Sequence, residues 1–498
     1  MSTQTTTKTP THRPPVGTPP PSPYNVVYGE LSRPKRGIMS QTRYQFAAYG
    51  LVIAAIAVIT LLQAVNAYQT SYNLFRGIVE VNSTTVDASE RALQYIAQAS
   101  QAAADYALLS SDTPLFEQAQ NNIFRDFSSF RDELAIVGDH LQTDAERSAF
   151  IVAETITYSR FWRHVSNLVA QRTNEEVARG EYLEADNHVR SWINPALERL
   201  ELLNFQQMID AANNAGGNIR TQVFLFAVPA FALILMLVFH SIRIRQTVRR
   251  YITPGIDAAL VLSIIVTVVI LLQLLGAPSK LEAMTQRYYQ NVSASSRTLV
   301  DANLANRAES SAMIDLSRLD AWNTRFDDLI NRIELRLCGQ ADCTQETFVV
   351  GNTSNLTTTT INRAQNISSA DSTSIDSIAP LAANVSNDRE RQALEEARVA
   401  LKEYRAVHNQ IVGLLQTGDV ASAVTLNTQQ EPGTSQAAFD RFTTAMNDIS
   451  QVNRTAFDQI WDEEGVGLRA NQILFAFAGF ALIGVLALVG TLHRVREL

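Results

Sequence analysis

Lysine is almost absent from this chain: Lys8, Lys35, Lys280 and Lys402 stand beside 37 arginines in 498 residues, a bias we ascribe to a GC-rich genome. Cysteine is scarcer still, and Cys338 and Cys343 are too few for a disulfide scaffold or a multi-thiolate metal site. The GxxxxGK[ST] and GxGxxG phosphate loops, HExxH, GxSxG and CxxCH are all missing. The expectation is therefore a non-enzymatic chain with no cofactor and no metal. A net charge of −8 and a pI near 5.5 argue against nucleic acid as a partner.

The chain does have four apolar runs, at 44–67, 221–239, 256–277 and 471–492, separated by long polar stretches. Such uneven hydropathy excludes a single globular enzyme. The first run carries no Asp, Glu, Lys or Arg. At about 1.5 Å per residue each run reaches most or all of the way across a hydrocarbon core of roughly 30 Å, so the lipid bilayer is the first partner expected. The first run begins too far into the chain, and is too long, for a cleaved signal peptide. Asp257 opens the third run, where a carboxylate favours a helix N-terminus, and Pro229 is placed to kink the second.

Positive charge sets orientation, because Arg and Lys flanks resist translocation. Arg33, Lys35, Arg36 and Arg43 precede the first span; Arg243, Arg245, Arg249 and Arg250 lie between the second and third; Arg494 and Arg496 follow the fourth. The tail 1–43, the basic loop 240–255 and the end 493–498 are thus expected in the cytoplasm of a plasma-membrane protein with both termini inside. They are too small for a catalytic domain. Two segments, 68–220 and 278–470, are expected outside. Residues 66–221 hold 21 Asp and Glu against 12 Arg, and 277–470 hold 25 against 17 Arg and Lys. In that oxidising setting Cys338 and Cys343, within CGQADC, would close a small loop rather than stay as thiols.

The two halves repeat one another. Arg43-Tyr44 opens the first run as Arg250-Tyr251 opens the third, and LLQAVNA at 61–67 parallels LLQLLGA at 271–277. Glu146-Arg147 and Glu390-Arg391 precede Gly180 and Gly418, which begin the steps GEYLEA and GDVASA. The spacing within each external segment is helical: Leu319, Trp322, Phe326, Leu329 and Ile333 form one stripe, and Leu394, Ala397, Leu401, Tyr404, His408, Ile411 and Leu415 another. Phe150, Glu154, Thr157, Phe161, His164 and Leu168 make a weaker one. The fold class expected is an all-α membrane protein with two antiparallel helical-bundle domains from an internal duplication. Gly180 and Gly418 are expected at a membrane-proximal turn between third and fourth helices, with Glu181 or Asp419 capping the fourth. The Ser/Thr/Asn-rich stretch 339–388 reads as a loop at the membrane-distal tip. The Pro/Thr-rich tail is expected to be disordered, either solvated with its basic end at anionic lipid or serving as a phosphorylated or polyproline ligand.

His164 and His408 each follow the matched Glu-Arg pair at the same distance, on the inner seam of the third helix. They could sense pH or bind a ligand, or be hydrogen-bonded seam residues. Arg160 and Arg163 beside Trp162 could hold a small anion or carboxylate, or merely solvate the surface.

Span, acidic helical segment with a Gly-acid step before its last helix, and span: this order resembles the four-helix-bundle ligand-binding region of methyl-accepting chemotaxis receptors and sensor histidine kinases, twice over. The resemblance implies sensing of an external ligand and a helix shift across the bilayer. Where those families continue into HAMP and output modules, only HSIRIRQTVRRYITP and HRVREL stand here, so a separate cytoplasmic or membrane partner is implied. The alternative is a scaffold that oligomerises through its bundles; a transporter is disfavoured, since apart from Asp257 no acidic or basic residue sits in the spans. Thiol labelling of the reduced protein in intact cells is expected to reach the CGQADC loop from outside; labelling only after lysis would reverse the topology.

Overall fold

The computed structural model describes residues 36–109, 111, 113–248, 253–339, 380–385 and 387–497, which are 93% helical and contain no strand. The tail to residue 35 and most of the Ser/Thr/Asn-rich stretch, Cys343 included, lie outside the described residues. Four helices are long and apolar enough to cross a membrane, and only 22–33% of each apolar window is buried. Leu51, Phe231, Leu272 and Leu474 are 62–67% exposed. Apolar surface on that scale is unfavourable in water and natural in lipid.

The long helices do not stop where the apolar runs stop. Helix α1 (Arg36–Arg76) passes through a π-helical stretch, Gly77–Ser83, into α2 (Thr84–Leu108). After α3 (Pro114–Asp139), α4 (Asp144–Ile156) runs through a π-helical turn into α5 (Trp162–Ala170). Helix α6 (Glu175–His188) continues by another into α7 (Asn194–Val248), which carries the second apolar run. The second half opens with α8 (Pro254–Glu282), a π-helical stretch Ala283–Tyr289 and α9 (Gln290–Ile314). Helices α10 (Leu319–Cys338), α11 (Asp388–Gln416) and α12 (Val420–Thr428) come next, and α13 (Ser435–Ile460) runs through Trp461–Val466 into α14 (Gly467–Glu497).

Sequence explains the ends of these helices. The matched Glu-Arg pairs are capping devices: Glu146 N–H donates to the Thr143 hydroxyl and Glu390 N–H to the Asn387 side chain, and Glu146 reaches back to Thr143 N–H at 2.7 Å. Each satisfies a donor that the first turn leaves free. Gly418 has φ +83°, which a side chain would resist, and Asp419 caps α12 by accepting from Ser422 N–H.

By contacts the chain divides into two units. In the smaller, made of the described residues up to Thr60, Pro229–Val266 and those from Ala478, a Cβ on Gly255 would lie 2.8 Å from Gly490 Cα, so these backbones touch. Asp257 accepts from Thr253 N–H at the start of α8, from Ser241 and from Arg245.

The larger unit, Leu61–Val228 with Thr267–Phe477, corrects the expectation of two separate bundles. Helix α2 of the first segment packs along α9 of the second, and one buried apolar cluster draws on both segments, from Phe130 and Phe161 to Phe326 and Phe442. Residues 291–314 of α9 are all buried although thirteen are polar or charged. Small Ser, Ala and Asn side chains let the helices approach, and neighbours pair with each of the four charged side chains, Arg297, Asp301, Arg307 and Glu309. Arg297 pairs with Glu201 at 2.6 Å and Arg307 with Asp186 at 3.0 Å, all four side chains less than a tenth exposed. Tyr182 and Ser311 hydroxyls meet at 2.6 Å, and Asn204 donates to Ser89.

Two further expectations are corrected. Gly180 lies inside α6, whose start is capped by Asn174; the turn falls at 171–174, and Glu181 instead bonds His164. That turn sits beside Leu109, at the end remote from the apolar runs, because Arg172 donates to Leu109 O. Conversely, the flanks of the Ser/Thr/Asn-rich segment lie toward the apolar runs: Asn291 bonds Asn384 and Glu390, and Arg336 bonds Arg297 O. An up-down-up-down path puts its second connection at the end where it began. Arg307→Ala, which strands buried Asp186, is expected to cost about 3–5 kcal/mol by denaturant unfolding, against under about 1 kcal/mol for Arg391→Ala at the exposed pair with Asp388.

Candidate functional site

A polar cavity of about 250 Å³ opens between α2, α3, α9 and α13. Its walls are built on heptad-like spacing: Gln94, Gln98, Gln101 and Asp105 from α2, Leu299, Asn303 and Asn306 from α9, Gln436, Asp440, Thr443 and Asn447 from α13. Asn122, Arg125 and Asp126 close it from α3. A smaller hollow of about 80 Å³ shares Asp105, Asn122 and Gln436 and extends to Leu109 and Thr428.

The hydrogen bonds give the cavity a bias. Gln101 Nε2 donates to Asp105 at 3.0 Å and to Ser310 at 3.4 Å, Asn303 Nδ2 to Leu299 O at 2.7 Å, and Gln436 Nε2 to Asp440 at 2.8 Å. Both N–H groups of Gln101 and one each of Asn303 and Gln436 are thus spent on the protein. Gln101 Oε1 and Asn306 Oδ1 are buried with no partner, a costly condition unless something else donates to them. Three aspartates face one arginine, whose Nε is already held by Asp126 at 2.8 Å. Burial pushes the Asp105 carboxyl up to about 7, against hydrogen bonds from Gln101 and Ser310 and with help from Glu309. Burial also raises Asp126 and Asp440.

The residues singled out in the sequence lie elsewhere. His408 is buried behind the wall: Nδ1 meets Glu309 at 2.7 Å, Nε2 meets Asn323 at 2.9 Å, and the ring stacks on Phe326. Glu309 also accepts from Ser435, next to Gln436. His164 meets Glu181 at 2.6 Å and its ring lies 5.4 Å from that of His188. Arg160 and Arg163 are exposed, and Trp162 turns inward onto Phe127. The structure therefore does not bring Arg160, Arg163, His164 and His408 into one site, although each histidine holds a carboxylate. Cys338 is disulfide-bonded, and Cys343 lies outside the described residues. Among the described residues no three His, Cys, Asp or Glu side chains converge to hold a metal.

The stripes legible in the sequence are mainly apolar, so none of the cavity residues stood out there. A signal was present: Gln94, Gln98, Gln101 and Asp105 on α2, and Gln436, Asp440, Thr443 and Asn447 on α13, keep a 4, 3, 4 step. No family model, curated protein or solved structure matches the chain.

The Asp105 carboxyl makes stability depend on pH. Held up to about 7 from an ordinary 3.8, it keeps its proton in the folded chain where the unfolded chain has lost it, so stability falls as pH rises from about 4 to 7. Asp105→Asn is expected to melt higher than the parent at pH 8, by at most about 4 kcal/mol, and to lose most of that advantage by pH 4. Equal melting at both values would show that this carboxyl is not desolvated.

Proposed function

We propose that the chain is a multi-pass plasma-membrane sensor, non-enzymatic, with both termini cytoplasmic and its large helical unit outside, which binds a small polar ligand in this cavity and signals through a separate protein. The observation that carries the reading is continuity. Three of the four walls of the cavity stand on helices that run, through a π-helical stretch, into an apolar run: α2 into α1, α9 into α8, α13 into α14. An occupant that prefers one spacing of these walls biases one arrangement of the helices, as far as its affinities for the two arrangements differ.

The likeness to chemotaxis-receptor and sensor-kinase ligand regions supports the same reading, as do the paired capping devices and the π-helical stretches Gly77–Ser83 and Ala283–Tyr289, which follow the first and third apolar runs at similar distances. These last also speak for an origin by duplication. In this reading a separate partner reads the helix ends.

One observation favours a second reading, a scaffold that assembles through its helical surface. Phe124 is 45% and Tyr158 39% exposed, and both flank Phe127 and Trp162 on one outer face. The two readings differ in a measurable way. Spin labels at Thr247→Cys and Leu492→Cys, in bilayer discs, are expected to change separation by about 1–2 Å when Ala102→Leu or Gln98→Leu fills the cavity. Unchanged separations in both folded variants, with uniform oligomers by microscopy, would favour the scaffold.

A further inference from the structure

The buried part of the cavity wall presents carboxylates and unpartnered amide oxygens, and these say what should fill it. Gln101 spends both N–H groups on protein acceptors, and Asn303 and Gln436 each spend one. Thr443 donates its hydroxyl to Asp440 O at 3.1 Å, so it too has spent its proton. Gln101 and Asn306 are 7% and 1% exposed, line the cavity, and each keeps an oxygen with no partner. Of the charged groups, Asp105, Asp126 and Asp440 outnumber Arg125 three to one, and that arginine is two-thirds exposed. A neutral polyol would bring as many acceptors as donors, and a carboxylate or phosphate would bring only acceptors and more negative charge. Leu299 and Phe439, 3% and 7% exposed, add an apolar stretch suited to methylene groups.

We infer that the cavity takes a small aliphatic ammonium compound, a primary mono- or diamine, whose N–H groups donate to Asp105, Gln101 and Asn306 while its chain lies against Leu299 and Phe439. This rests on the ligand-binding reading above and deepens it by naming the chemical class. Each ammonium has three donors and no acceptor, the complement of this wall. Its charge compensates carboxylates that burial otherwise penalises, and a charge-assisted hydrogen bond is about twice as strong as a neutral one. Arg125 already sits against Asp126, which leaves Asp105 and Asp440 as the carboxylates for an amine.

The test is calorimetric titration of the full chain in bilayer discs with 1,4-diaminobutane, glucose and succinate, at pH 8. The diamine is expected to bind, and Asp105→Asn and Asp440→Asn are each expected to weaken it at least tenfold. Asp440 is exposed at the rim, and Asp105→Asn is expected to melt above the parent, so lost binding in either is not lost folding. Diamine binding that survives both substitutions lies elsewhere and overturns the inference. So does the absence of binding by any of the three probes. Binding of glucose or succinate alone, lost in Asp440→Asn, overturns the ammonium class and leaves the sensory reading standing. Diamine binding without any change in the spin-label separation has the opposite effect: the site holds and sensing falls.

Discussion

The large unit depends on the burial of α9. A helix with Asn, Ser, Arg, Asp and Glu on every side is stable in an interior only if each polar group finds a partner there, since an unpaired buried charge costs several kcal/mol. The two arginines find theirs in the other half of the chain, Glu201 of α7 for Arg297 and Asp186 of α6 with Ser100 of α2 for Arg307, while Asp301 and Glu309 pair with Arg336 and His408 of their own half. Helix α9 therefore binds the two long polar segments to each other, which an apolar seam within each segment could not have done.

The same constraint produces the cavity. Where α2, α9 and α13 turn polar stripes toward one another, the side chains satisfy some of their hydrogen bonds mutually and leave a residue of unmatched oxygens. A fully matched network would close up; a partly matched one keeps room for an occupant that supplies the missing donors. His408 and Glu309 brace the rear of this wall, which places His408 as a hydrogen-bonded seam residue behind Asp105.

Much of the local structure could be read in advance. The stripe from Leu394 to Leu415 is buried at every position, and Trp322, Phe326, Leu329 and Ile333 are buried likewise, because an apolar residue every three or four positions has one inner face whatever the partner is. Asp419 caps as its place after Gly418 suggests. Gly180 failed as a turn marker: its helix carries on through it, and glycine inside a helix costs only about 1 kcal/mol when packing outweighs it. The polar stripes around the cavity were not legible as interior for a related reason. Polarity favours water only while no polar partner waits inside, and that partner lay some two hundred residues away, as Gln101 with Ser310 shows.

Four apolar runs, the helical class and the caps that begin α4, α11 and α12 were set by the sequence alone, because hydropathy, periodicity and capping act over a few neighbouring residues. Which helices lie at the centre, that the two long polar segments share one core, and where a polar cavity stays open were decided only by the tertiary structure. Those outcomes turn on pairings between distant charges and amides, whose energies depend on burial and on who else is buried with them.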